Sequence, residues 1–115
     1  MSARDVAVAL ALCAAGFVGG SEALAAESKP DGQKVYETWC TPCHARGPDN
    51  PGTTALAALY KGSKPAALED RTDLTPAIVK QFVRKGVSVM PFFRKTEISD
   101  AELDAMAAWL ARPKR

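Results

Sequence analysis

Cys40-Thr41-Pro42-Cys43-His44 decides how this chain is read: two thiols three positions apart, with the single histidine of the sequence directly behind the second. On a helix that spacing puts the two sulfurs about one turn apart. Each can then add its S–H across a vinyl group of one haem, and the adjacent imidazole falls under the iron as proximal ligand. Five residues thus supply covalent attachment through Cys40 and Cys43 and ligation through His44. Three other uses of the pair compete. Structural zinc takes four Cys or His ligands, and residues 26–115 offer only these three. A thioredoxin-like dithiol follows a strand in a βαβ surround, whereas the residues upstream read as helix. A disulfide in an exported domain is the third, and it takes no account of His44.

One histidine leaves the sixth iron position to another side chain, and in a stable electron carrier that is usually methionine, which raises the reduction potential relative to two histidines. Residues 26–115 hold two methionines, Met90 and Met106. Met106 shares an apolar helical spacing with Leu103 and Leu110 and reads as core. Met90 lies in Val87-Ser88-Val89-Met90-Pro91-Phe92-Phe93, past a Gly86 that stops a helix and before a proline that prevents its return. Its thioether is therefore offered from a loop, as the distal ligand.

Outward from these residues the pattern is helical, with no convincing strand. Asp31 caps a first helix in which Gly32, Val35, Tyr36 and Trp39 recur at three- and four-residue intervals up to the Cys motif. Ala45 to Gly52, with two prolines and two glycines, reads as a loop, followed by a short apolar turn from Thr54 to Tyr60. A carbonyl of this loop, that of Pro48 or Pro51, is expected to accept the second ring N–H of His44. Lys61 to Asp73 mixes Gly, Pro, Lys and Asp and reads as a solvated connection. Thr75 caps a helix with Pro76 at its first position and Ile78, Val79, Phe82 and Val83 on one face, and Leu74 with Val79 forms a staple around that start. Ser99 with Glu102 is a capping box, flanked by an Ile98/Leu103 staple, for a last helix that turns Leu103, Met106, Trp109 and Leu110 inward.

The chain has 115 residues, 47% hydrophobic and 24% charged, which is the usage of one small globular domain. Its formal charge of +2 lacks the basic excess of nucleic-acid binders. Residues 1–25 read as a signal peptide: Arg4 precedes an unbroken apolar run from Val6 to Val18, and Ala23-Leu24-Ala25 ends in the small residues a signal peptidase reads. The run is shorter than the roughly 20 residues a membrane span needs, so no stable membrane insertion is expected after cleavage. Leu12 before Cys13 is too large for a lipoprotein site. Residues 26–115 then form the exported, periplasmic domain.

Over essentially all of residues 26–115 the chain resembles the class I monohaem cytochromes c. In that family the first helix carries a Gly eight residues and an aromatic four residues before the first haem Cys, the places of Gly32 and Tyr36 here, and the terminal helix carries an apolar residue, an aromatic and a Leu, matched by Met106, Trp109 and Leu110. The resemblance implies an all-α, cytochrome c-like fold, with N- and C-terminal helices packed crosswise through the Gly, one covalent haem c, His44 proximal and Met90 distal. The small size and the Met-Pro-Phe-Phe segment also resemble the cytochrome subunits of p-cresol methylhydroxylase-type flavocytochromes. The implied function is one-electron transfer from a flavoprotein dehydrogenase or hydroxylase subunit to a terminal oxidase or another cytochrome. The chain carries no flavin or nicotinamide motif, so it is read as an electron carrier or electron-transfer subunit rather than an enzyme. The alternative is a haem protein with an open sixth position, a ligand sensor or peroxidase-like enzyme. Arg84 and Lys85 before Met90, and Arg94 and Lys95 after the exposed-looking Phe92 and Phe93, bracket the ligand loop with cations; Lys85, Phe92, Phe93, Arg94 and Lys95 form a candidate docking rim for an acidic partner.

Overall fold

The computed structural model describes residues 28–114, so the signal-peptide expectation for residues 1–25 lies outside the described residues. Helix α1 (Gly32–Trp39) begins where Asp31 predicts, its carboxylate accepting hydrogen bonds from the Gln33 and Lys34 amides at 3.0 and 3.4 Å. The Cys motif forms its own single turn, α2 (Thr41–His44), with Pro42 in the opening positions where no N–H is needed. Helix α3 (Pro51–Tyr60) corrects the sequence reading, which allowed only a short turn from Thr54. Pro51 does not prolong the loop; it starts the helix, because its fixed φ suits a first helical position as well as a bend. Lys61, at φ 49°, ends it in the left-handed region.

The connection after α3 contains a 3-10 turn, Leu68–Asp70. Helix α4 (Pro76–Lys85) is capped by the Thr75 hydroxyl, which accepts from the Ile78 amide at 3.3 Å, and stops at Gly86 with φ 67°. Helix α5 (Asp100–Leu110) carries the full capping box: the Ser99 amide donates to the Glu102 carboxylate at 2.8 Å, and the Glu102 amide donates to the Ser99 hydroxyl at 3.3 Å. Among the described residues there is no strand, only an isolated antiparallel bridge between Val87 and Met90. No described helix is long and apolar enough to cross a membrane.

α5 is the element the others share, with α1 and α4 both packed on it. The α1 contact depends on Gly32: a Cβ there would lie 2.5 Å from the Ala105 carbonyl carbon and 2.9 Å from the Met106 nitrogen, so only a bare Cα permits the approach. Tyr36, Ile98 and Met106 are wholly buried, and Val79, Val83, Leu103 and Leu110 close the core around them. The Trp109 ring lies 5.0 Å from that of Tyr36, so the aromatics of the two terminal helices meet directly.

Candidate haem site

α1 delivers Cys40 as its C-cap, and α2 carries Cys43 and His44 onward. The backbone behind the histidine is held from three sides. The buried Tyr36 hydroxyl donates to the His44 carbonyl at 3.1 Å, the buried Thr53 hydroxyl donates to the Ala45 carbonyl at 2.8 Å, and the Asn50 amide group donates to the Arg46 carbonyl at 3.1 Å. Burial raises the Tyr36 pKa first, with the Glu69 charge adding to it, so its hydroxyl keeps its proton for that bond. Arg46 then bridges Glu69 and Asp70, tying the segment after His44 to the 3-10 turn.

His44 itself backs onto Gly52. A Cβ at Gly52 would fall 2.7 Å from the Cys43 carbonyl oxygen and 2.8 Å from His44 Nδ1. Nδ1 is enclosed and has no hydrogen-bond partner among the described residues. The expected prolyl acceptor is therefore not formed: the Pro48 carbonyl accepts instead from the Thr54 hydroxyl at 2.6 Å, and Pro51 is the first residue of α3. Burial lowers the pKa of His44, leaving the ring neutral at neutral pH, the form in which an imidazole binds metal.

In front of the histidine lies a cavity of about 530 Å³, within the range of about 300–1,000 Å³ usual for cofactor sites. Cys40, His44, Met90 and Met106 all line it, so the structure brings together three of the four residues that the sequence nominates for haem; Cys43 is exposed and lies outside the lining. The walls are otherwise mostly apolar. Leu59, Ile78, Phe82 and Val87 line the cavity while 40% or more exposed, a concentration of open apolar surface that a small monomer does not normally leave uncovered. Burial, with Cys43 adding to it, pushes the Cys40 thiol up to about 12, and its sulfur lies 3.5 Å from that of Met106. A flat, largely apolar macrocycle that takes one neutral imidazole and one soft thioether as ligands, with a thiol at hand for attachment, fits the residues that line this cavity.

One polar group on the lining was not legible from sequence. Arg71 grips both carboxylate oxygens of Asp73, at 2.7 and 2.6 Å, and also donates to the Tyr60 hydroxyl, while Lys64 reaches Asp73 at 3.2 Å. The Arg71 hydrogen bonds, then that of Lys64, hold the Asp73 carboxyl well below the usual range. The segment read as a solvated connection is thus an ion-paired edge of the cavity. The only sequence signal was its charge mix, which does not tell pairing from solvation.

Met90 sits in a tight turn. The Val87 and Met90 amides each donate to the other residue's carbonyl, at 3.1 and 2.9 Å, with Ser88 left-handed at φ 52°. Gly86 makes room for it: a Cβ there would lie 2.7 Å from the Met90 carbonyl oxygen. The docking candidates are placed unevenly. Phe92 is 60% exposed, whereas Phe93 turns inward, its ring 5.9 Å from that of Trp39. Exposed surface is therefore found at one of the two aromatics, because Phe93 is consumed in packing. Arg94 pairs with Glu97 and Lys95 with Asp100, while Lys85 is exposed without an ion-pair partner among the described residues.

Residues 27–110 match the family model described as cytochrome c oxidase, cbb3-type, subunit III. No curated protein matches the chain. Among solved structures it is similar to a chain from the crystal structure of p-cresol methylhydroxylase with substrate bound, at 28% identity and a TM-score of 0.53, covering 76% of this chain and 97% of that one. It is also similar to cytochrome c6 from the diatom Phaeodactylum tricornutum, at 24% identity and a TM-score of 0.45, covering 70% and 86% respectively. With the family model spanning the helices and cavity just described, the chain belongs to this cytochrome c family and is an all-α haem electron-transfer protein.

Proposed function

We propose that this protein is a periplasmic one-electron carrier in which Cys40 and Cys43 hold a single haem c through thioethers, His44 is the proximal ligand and Met90 the distal one. The observation that carries this reading is the convergence of Cys40, His44 and Met90 on one apolar cavity of about 530 Å³. The bound haem supplies a metal centre that takes up and gives back one electron. The protein's residues fix its surroundings. Tyr36 and Gly52 seat the histidine, α3 and α4 exclude water with apolar side chains, and the Gly86 turn presents the thioether of Met90. Met106 is the weaker ligand candidate, because it is wholly buried and its sulfur faces the attachment thiol Cys40.

Residues 1–25 act as the export signal in this reading, and residues 26–115 are the carrier. The donor is a flavoprotein dehydrogenase or hydroxylase subunit, a reading supported by the 28% identity to a chain of a methylhydroxylase structure. The acceptor is a terminal oxidase or another cytochrome. Docking uses the rim beside Met90: Phe92 gives apolar contact, Lys85 a cation with no ion pair among the described residues, Arg94 and Lys95 cations partly neutralised by Glu97 and Asp100, and Phe93 supports the rim from inside.

Potentiometric titration tests the ligand assignment. A thioether favours ferrous iron over ferric, so Met90→Ala lowers the midpoint of a single one-electron wave, while Met106→Leu leaves it in place. An unchanged midpoint in Met90→Ala overturns the assignment.

A further inference from the structure

The chain leaving Met90 is held at one place. Among the described residues Pro91 and Phe92 make no backbone hydrogen bond, and the next anchor is Phe93, whose amide donates to the Val83 carbonyl at 2.8 Å. The carbonyl of the same residue accepts from Arg84 Nη1 at 3.0 Å, and the other guanidinium nitrogen, Nη2, donates to Asp100 at 2.9 Å. Arg84 therefore spans three elements: it stands in the last turn of α4, grips the returning arm of the ligand turn, and is braced by the first residue of α5. Its side chain is 22% exposed, far less than an arginine that only complements a helix C-terminus, a role that exposed Lys85 already fills. The incoming arm of the turn is held by backbone bonds alone, from the Gly86 amide to the Phe82 carbonyl at 2.7 Å and between Val87 and Met90. Only the outgoing arm depends on a side chain.

We infer that Arg84 is a positioning residue for the distal ligand: through Phe93 and Asp100 it locks the outgoing arm of the turn and so resists displacement of Met90 by an outside ligand. This rests on Met90 being that ligand, as proposed above. Hydrogen bonds made by a charged group that is mostly sheltered from water contribute more than neutral ones, so the clamp should be visible in ligand exchange.

The test is titration of the ferric holoprotein with imidazole, which binds only where the distal ligand yields, in wild type, Arg84→Met, Met90→Ala and the double variant. Arg84→Met keeps a long apolar stem and removes both donated bonds. It should raise imidazole affinity about tenfold over wild type, and the same replacement in the Met90→Ala background should change nothing. Unchanged affinity in Arg84→Met, or an equal gain in both backgrounds, overturns the inference, the second because a general loosening does not act through Met90. If Arg84→Met yields no holoprotein, Asp100→Asn takes its place in the cycle. A gain of about threefold confined to the Met90 background supports the clamp, and no gain refutes it. Failure of the ligand assignment shows separately, as a far-red sulfur-to-iron band that survives in Met90→Ala.

Discussion

At the residue scale the site depends on what is missing beside the histidine. Gly52 stands in the first turn of α3, where alanine would ordinarily favour the helix by up to about 1 kcal/mol. Against that gain stands a Cβ at 2.7 Å from the Cys43 carbonyl oxygen, a backbone atom that cannot swing aside. The clash wins: Gly52→Ala should cost about 1–3 kcal/mol and displace the His44 ring, read as a lower guanidinium midpoint together with a changed midpoint potential. A variant as stable as the wild type, at the same potential, contradicts the seat described for His44. Cys40, His44 and Met90, which the structure brings to one cavity, were legible in the sequence because their signals are local. The Cys spacing, the adjoining histidine and the proline after Met90 each act within five residues. That His44 Nδ1 finds no partner among the described residues was not legible, because the loop prolines offered carbonyls without saying that Thr54 would take one of them.

At the element scale the packing of α1 on α5 is the joint of the fold, and it also aims the Cys motif at the cavity. Gly32→Ala adds one methyl group where Ala105 and Met106 backbone atoms already stand, at 2.5 and 2.9 Å from the added carbon. The helices must separate, at a cost of about 1–3 kcal/mol, which outweighs the propensity gain of alanine at a helix start. Chemical denaturation checks this; a Gly32→Ala protein with an unchanged midpoint shows that the helices yield without loss. Helix starts were readable at Asp31, Thr75 and Ser99 because a cap is a local hydrogen bond between neighbours in sequence. The start of α3 was not, since a proline opens a helix and bends a loop with the same φ. Lys61 to Asp73 was opaque for a different reason. Its Glu69 and Asp70 find their partner in Arg46, more than twenty residues away, and its 3-10 turn closes the fold behind His44.

At the scale of the whole molecule a formal charge of +2 steers little, so partner recognition has to come from local placement. Lys85 is the cation of the Met90 rim with no ion pair among the described residues, whereas Arg94 and Lys95 spend part of their field on Glu97 and Asp100. Changing all three to Glu should slow reduction by an acidic dehydrogenase several-fold at low salt, with the gap shrinking as ionic strength rises. Most of the loss should appear in Lys85→Glu alone. If the triple variant keeps its rate and salt slope while Phe92→Ala slows, docking is apolar and the charges are bystanders.

One covalently attached haem, ligated by His44 and Met90, is what we propose makes this chain an electron carrier. The absorption spectrum of the purified ferric and ferrous protein tests that most directly. The expected result is haem c bands, a weak far-red sulfur-to-iron band in the ferric form, and no change when carbon monoxide is added to the ferrous form. A colourless protein, or a ferric spectrum without the far-red band and a ferrous form that binds carbon monoxide at once, contradicts it.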